Sequence, residues 1–379
     1  MHSRIRAYGV TLAALLALAV ALPVGLAARP KPGVTPAGSF RLFGRSLGAA
    51  TVNRIYCGLL SSGQVCADST NSSTIPGGFW PKGTGNQYVF NSGMQFGGVI
   101  APKSTGTGAG ATFSWTNDTT GAFFFDARGD LSHGQEVQPI YNYQNTADQA
   151  AWPAAAKVPQ NDRGASTFFP LLQGQDEASQ GDIWYLTWDG DPAFSAGRKH
   201  PLGVLVETRI MGWNYPAGNN DILYLVYTFY NISSTCASDY NGVRPSMQSI
   251  LLQQAAVFQA KNNAAFGITM PACGYDISKF YANFAADMDV TPDAGNNYAS
   301  VNIPYQLGYI YSSYFAENSS STGYPSDITG PPFMGGYGFV GVKYLASPDS
   351  GVAPNQAPAG LSLFSDTENG GVFGDPANA

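Results

Sequence analysis

Residues 202–232 have the sequence LGVLVETRIMGWNYPAGNNDILYLVYTFYNI, and this stretch decides the fold. In its first arm, residues 202–211, period-two spacing places the β-branched side chains on one face of a strand and the charged pair on the other. Its second arm, residues 222–230, is apolar or aromatic on both faces, which is typical of an interior strand. Turn-forming residues at 214–220 join the arms. The stretch therefore predicts an antiparallel hairpin.

The rest of the chain favours β structure as well. Of the 379 residues, 13% are aromatic and only 12% are charged, and 45 Gly and 25 Pro suit many strands joined by tight turns. One helix is predicted from Pro245 to Asn263, where Met247, Leu251 and Phe258 recur at helical spacing. No repeated strand–helix alternation occurs. The predicted fold class is all-β: an antiparallel, jelly-roll-like β-sandwich with one inserted α-helix.

The chain divides into three predicted segments. Residues 1–28 have a basic start, an apolar run and small residues near position 28, which is the pattern of a removable signal peptide. Residues 29–50 are predicted to be a flexible lead. Residues 51–379 form the β-sandwich region. The end of this region lacks a closing strand, so we expect the sequence to be a piece of a longer protein.

Four cysteines lie beyond the signal peptide. An even number of cysteines in an exported chain predicts two disulfides, most simply Cys57–Cys66 and Cys236–Cys273. A zinc site is the alternative. It is disfavoured because no Cys-x-x-Cys pair occurs and only two histidines, His133 and His200, follow the signal peptide.

Charge and hydropathy limit the classes of partner. The formal charge of −6 and the absence of Lys/Arg runs argue against a nucleic-acid partner. No stretch after the signal peptide is apolar enough to cross a bilayer, so no transmembrane segment is expected after signal removal. The chain is therefore predicted to be secreted or held at the cell surface.

Several paired segments have a recognisable pattern: residues 79–83 with 92–98, residues 182–185 with 189–191, residues 201–213, and residues 284–290 with 341–345. They resemble segments of a broad group of uncharacterised secreted β-rich proteins of environmental bacteria. The resemblance covers much of residues 79–345 and implies strands and turns, and it carries over no catalytic residue. Members of that group often continue into further β domains or a surface-attachment module.

Two acidic clusters are candidates for calcium. Asp287 and Asp289 share a strand face, and Asp293 follows in a loop, so their oxygens are suitable Ca²⁺ ligands. The spacing excludes an EF-hand. The alternative is an exposed turn whose side chains cap their own backbone. A weaker cluster consists of Asp182, Asp189 and Asp191. Apart from calcium at this candidate site, no cofactor is expected.

Catalytic patterns are weak. A glycosidase needs two carboxylates at a set separation, and sequence cannot pair them. Glu207, beside Arg209 on one strand face, is interpreted as part of a solvated ion pair. Neither His133 nor His200 neighbours a Gly-x-Ser-x-Gly elbow. The chain is therefore predicted to be non-catalytic.

Aromatic side chains are the remaining candidates for a binding site. Strand tryptophans such as Trp184 and Trp188 are expected in the core. Trp80 and Trp213 lie in or beside loops, where sandwich proteins often carry function, and are candidates for stacking against an extracellular glycan.

Three functions remain open. The leading one is a non-catalytic structural or adhesive protein, secreted or at the cell surface, that contacts other surface proteins or assembles with itself. The alternative is a glycan-binding module, with or without calcium. A polysaccharide-active hydrolase is the weakest of the three.

Overall fold

The computed structural model describes residues 41–42, 45–67, 77–83, 87–124, 132–158, 171–194, 197–290, 297–312 and 339–345. The chain divides into two compact units, residues 1–30 and residues 31–379, and every described residue belongs to the second. The predicted signal peptide at 1–28 lies outside the described residues.

The strands are β1 (Arg41–Leu42), β2 (Arg45–Ala50), β3 (Tyr56–Leu60), β4 (Gly78–Phe79), β5 (Gln87–Ala101), β6 (Thr119–Phe123), β7 (Gln135–Asn142), β8 (Ile183–Trp188), β9 (Val204–Gly212), β10 (Leu223–Asn231), β11 (Asp276–Met288), β12 (Asn297–Asn302), β13 (Leu307–Ser312) and β14 (Phe339–Lys343). The α-helices are α1 (Thr146–Ala150) and α2 (Pro245–Phe266). Short 3-10 helices lie at Ala154–Ala156, Pro192–Phe194, Ala237–Tyr240 and Ile303–Tyr305.

The strands form three antiparallel sheets. The first has seven strands in the order β1-β2-β3-β4-β5-β11, and β6 also pairs with β5. The second has four strands in the order β10-β9-β8-β7, and the third consists of β12, β13 and β14. The prediction of a mostly β, sandwich-like fold with antiparallel sheets and one long helix is confirmed. The jelly-roll connectivity stays a prediction.

The predicted hairpin is the centre of the four-stranded sheet. Strands β9 and β10 pair over nine consecutive residues, from Leu223 opposite Gly212 to Asn231 opposite Val204. On one face of this sheet, Ile183 and Tyr185 pack with Leu59 of the seven-stranded sheet. Burying large apolar side chains in this way contributes about 1.5–3 kcal/mol for each one. This packing makes the core between the two sheets.

Helix α2 contributes side chains to the core on the opposite face of the four-stranded sheet. Leu251 and Phe258 of the helix belong to the same buried cluster as Trp184 and Trp188 of β8. The helix ends at Gly267, whose φ of 62° closes the last turn in the left-handed region that glycine favours. Among the described helices, none is long and apolar enough to cross a membrane.

Helix α2 forms a third layer beside the two sheets, and the burial of the hairpin differs from the prediction. Every residue of β9 is buried, whereas every residue of β10 is only half-buried, so β9 is the interior strand and β10 is the edge strand. The sequence prediction had placed the interior strand in the second arm. An apolar and aromatic sequence such as that of β10 does not by itself show that both faces of the strand are buried.

From the sequence, Glu207, beside Arg209, is interpreted as part of a solvated ion pair. This interpretation is wrong, because both side chains are buried. Glu207 is 3% exposed and accepts hydrogen bonds from the Trp184 indole (2.9 Å), the Tyr230 hydroxyl (2.9 Å) and the Arg244 guanidinium (2.5 Å). Arg244 directly precedes helix α2. The ion pair Glu207–Arg244 therefore links the sheet to the helical layer.

The other charge of that strand is buried in a separate ion pair. The guanidinium of Arg209 donates to Asp182 at 2.7 Å, and it also contacts the carbonyl oxygen of Ala156. Asp182 in addition accepts from the backbone and hydroxyl of Ser179. Buried charges of this kind are tolerated because each one is paired and hydrogen-bonded.

Both predicted disulfides are present, Cys57–Cys66 and Cys236–Cys273. The second bond joins the segments on either side of helix α2. Because disulfides persist in oxidising compartments, the two bonds indicate an oxidising, extracellular environment.

The predicted flexible lead at residues 29–50 is corrected at its C-terminal end. Strand β2 occupies Arg45–Ala50 and pairs with β3. Within it, Leu47 packs against Leu60 and Ala67, so these residues have apolar partners that a sequence window around them does not reveal. The first part of the lead lies outside the described residues.

Candidate functional site

Three chain segments meet at one end of the β9–β10 hairpin. They are residues 52–55, residues 79–83 and the hairpin turn with its first partner residues, 213–224, and we call them together the hairpin-end surface. The Asn53 amide donates to the carbonyl oxygen of Ile222 at 2.8 Å, and the Arg54 backbone donates to that of Asn220 at 2.9 Å. These bonds tie the segments to one another, so the surface is preorganised.

Trp80 lies at the contact between these segments. Its indole N–H donates to the Asp221 carboxylate at 2.6 Å, and the Arg54 guanidinium lies 5.2 Å from the ring centroid. Arg54 and Asp221 also form an ion pair at 3.1 Å, and their side chains are 44% and 35% exposed. A cation at this distance from an indole ring is attracted to its face. The three side chains therefore form one partly exposed aromatic and charged group.

Trp213 lies on the same hairpin. Its ring meets the edge of Tyr224 at a centroid distance of 5.2 Å, and the Tyr224 hydroxyl donates to Asn219 at 3.2 Å. Trp80 and Trp213, which the sequence singled out independently, thus contact residues of a single turn region. No local pattern in the sequence predicts that loops this far apart in the chain meet.

Tyr215 is the residue that the sequence analysis missed. It is 75% exposed, in the turn between β9 and β10. Its position before Pro216 in a run of turn-forming residues was the available signal, because turn residues of hairpins face solvent. Exposed aromatic side chains beside charged and amide groups offer both an apolar surface and directional hydrogen bonds.

Lys82 adds a cation to this surface. Its ammonium donates to the carbonyl oxygen of Thr51 at 2.6 Å, and partial burial lowers the pKa of the Lys82 side chain. Its backbone N–H donates to the carbonyl oxygen of Arg54, also at 2.6 Å. Lys82 therefore helps to hold the segments around residues 51–54 and 79–83 together.

The predicted calcium ligands are only in part within the described residues. Burial raises the pKa of the Asp287 carboxyl, and the nearby charge of Asp289 raises it further. Asp293 lies outside the described residues. Within the described ranges, no group of three or more His, Cys, Asp or Glu side chains is arranged to hold a metal ion. Calcium binding at this cluster stays a prediction.

In the weaker acidic cluster, the structure assigns Asp189 to a role in the fold. Asp189 is completely buried, pairs with Arg198 at 2.9 Å, and accepts from the backbone N–H groups of Leu202, Gly203 and Val204. Asp182 belongs to the buried pair with Arg209 described above. Asp189 therefore holds the start of β9 against the end of β8, and Asp182 joins the start of β8 to Arg209 of β9.

His133 and His200 are both buried. The His200 ring stacks on Trp115 at 4.0 Å, with one ring nitrogen 2.8 Å from the Pro201 carbonyl oxygen and the other 3.3 Å from Asp118. Burial lowers the pKa of His200, although the hydrogen bonds oppose the shift. The ring of His133 packs against Phe123. These contacts are those of packed side chains.

Comparisons of the chain with protein-family models, with curated proteins and with solved structures found no match.

Proposed function

We propose that this protein is a non-catalytic protein of the cell exterior that adheres to carbohydrate through the hairpin-end surface. One observation carries the proposal: Trp80, Trp213 and the exposed Tyr215 lie on segments tied to each other by backbone and amide hydrogen bonds. A surface that is ordered before binding loses less conformational entropy when the ligand binds.

The chemistry of the surface suits a saccharide. The C–H face of a sugar ring packs on an aromatic ring, and sugar hydroxyls need donors and acceptors at the rim of the contact. Arg54 supplies N–H donors and Asp221 supplies carboxylate acceptors, and both side chains are more than a third exposed. The oxidising environment indicated by the disulfides agrees with a ligand outside the cell.

The test is a glycan array probed with the purified protein, followed by calorimetric titration of the polysaccharides that bind. Tyr215→Ala and Trp80→Ala are each expected to weaken binding about tenfold, because one stacked ring contributes about 1 kcal/mol or more. Tyr305→Ala is the matched control, since Tyr305 is 64% exposed but lies outside the hairpin-end surface.

Binding that both variants leave unchanged, or an array without any bound glycan, would refute the proposal. The titrations are run with and without Ca²⁺, so that an effect of the ion on affinity reveals the predicted calcium assistance. Release of reducing ends from a bound polysaccharide would instead support the hydrolase alternative.

A structural role is the second candidate, and the cross-links between layers favour it. Glu207–Arg244 ties β9 to the segment that begins helix α2, and the disulfide between Cys236 and Cys273 joins the segments that flank that helix. Such links resist local unfolding, and a structural protein of the cell surface needs that resistance. Ordered, concentration-dependent assembly without any glycan, seen by light scattering and electron microscopy, would favour this role.

A further inference from the structure

The two edges of the four-stranded sheet differ in their protection against strand addition. Edge strand β7 contains Pro139 and the charged Glu136, and its pairing with β8 shows two irregularities of register. Proline, charge and bulges are the features by which natural proteins prevent an edge strand from pairing with another chain. Strand β7 is therefore a protected edge.

Strand β10, at the other edge, has none of these features. Residues 223–230, LYLVYTFY, contain no charged residue, no proline and no glycine, and the pairing with β9 is regular over all nine positions. All nine residues are half-buried. Within the described part of the chain, β10 is the last strand of its sheet. A long, regular and uncharged edge strand is a template for a further strand.

The edges of the seven-stranded sheet do not offer the same template. Strand β1 has two residues and β6 has five. Strand β11 is long, but it contains Lys279 at a φ of 50°, and its pairing with β5 has two irregularities of register. Of the described edge strands of the four-stranded and seven-stranded sheets, β10 is therefore the long, regular and uncharged one.

We propose that β10 pairs in antiparallel orientation with β10 of a second copy of this chain, which joins two four-stranded sheets into one continuous sheet. A two-fold axis at Tyr227, the middle residue of the strand, places Leu225 opposite Phe229 and Val226 opposite Thr228 of the partner. Because the strand is uncharged, no like charges meet in this arrangement, and its aromatic and β-branched residues favour cross-strand pairing. The identity of both strands satisfies the self-complementarity that a two-fold interface requires.

This inference is independent of carbohydrate binding, because it concerns a different surface. The experiment is sedimentation velocity of the disulfide-intact protein over a wide concentration range, with hydrogen–deuterium exchange measured on the same samples. The wild-type protein is expected to form a dimer, and the amides of residues 223–231 are expected to gain protection as its concentration rises. Half of these amides point away from β9, so their exchange reports directly on the edge.

Thr228→Lys is the test variant. Lysine on an edge strand opposes strand addition, so this variant is expected to dimerise about tenfold more weakly, or not at all. Because Thr228 is half-buried opposite Glu207, thermal unfolding of the variant is measured as well, and we expect its monomer to stay folded at the temperature of the experiment. Ser249→Lys is the matched control, since Ser249 is exposed on helix α2 and the substitution adds the same charge away from the edge.

Three results would overturn the proposal. The first is a wild-type protein that remains monomeric at every concentration. The second is a Thr228→Lys variant that dimerises as strongly as the wild-type protein. In the third, the β10 amides that point away from β9 are protected already in the monomer, which would show that another segment of this chain covers the edge.

Discussion

Arg244 offers the sharpest test of how the layers are held together. Its side chain is 7% exposed, and it donates to Glu207 at 2.5 Å and to the carbonyl oxygen of Ala155 at 2.7 Å. Arg244→Met keeps an unbranched side chain but leaves the Glu207 carboxylate buried, with Trp184 and Tyr230 as its remaining donors among the described residues. Removing one partner of a buried ion pair costs about 3–5 kcal/mol, so we expect a loss of that size in the free energy of unfolding.

The assay is urea unfolding with the disulfides intact, extended to a double-mutant cycle with Glu207→Gln. The double variant should be destabilised by less than the sum of the two single variants, because neither charge is then left without its partner. Lys157→Met is the matched control: its pair with Asp176 is 47% and 42% exposed, so its loss should change stability by less than about 1 kcal/mol. A loss below about 1 kcal/mol for Arg244→Met, or strict additivity in the cycle, would refute the reasoning.

Three further predictions concern the disulfides, one histidine and one carboxyl. Replacing both cysteines of Cys236–Cys273, which spans 37 residues, by alanine should lower the free energy of unfolding by about 4 kcal/mol. The same change at Cys57–Cys66, which spans 9 residues, should lower it by about 2.5 kcal/mol, because the shorter loop restricts the unfolded chain less. Denaturant titration compares the two variants, and equal losses would contradict this prediction. Burial lowers the pKa of His200 below 6.5, so the unfolded chain takes up the proton first as the pH falls. The contribution of neutral His200 to stability is therefore complete above about pH 6.5 and is lost at lower pH. His200→Gln should make the melting temperature decline less steeply between about pH 7 and pH 5. Burial and Asp289 raise the pKa of Asp287, so Asp287→Asn should raise the melting temperature at neutral pH without calcium; if Ca²⁺ stabilises the wild-type protein but not this variant, the ion binds there.

Much of the local structure could be predicted, because its signals lie within short windows. The helix starts at Pro245 as predicted and extends three residues beyond the expected Asn263. The hairpin arms are found within two residues of their predicted positions. Spacing and number of cysteines were enough to pair them correctly. Strand β2 was missed because its apolar partners come from β3 and its loop, beyond any window around residues 45–50.

The candidate site was only half predictable. Trp80 and Trp213 were selected because they lie near loops, which is a local property. Their common neighbourhood depends on hydrogen bonds from Asn53 and Arg54 to a turn more than 160 residues away in the chain. Tyr215 was missed although its place in a run of turn-forming residues indicates exposure; only the fold shows that it lies on the same surface as Trp80 and Trp213.

The sequence by itself determined the β character, the central hairpin, the long helix and the two disulfides, since periodicity, turn residues and cysteine spacing are read along the chain. Only the tertiary structure decided that Glu207 is buried, that β9 and not β10 is the interior strand, and that distant loops form one surface. The physical reason is that period two assigns side chains to the two faces of a strand but does not say what covers either face. That cover comes from helix α2, the seven-stranded sheet and Arg244, all distant in sequence from the strands that they bury.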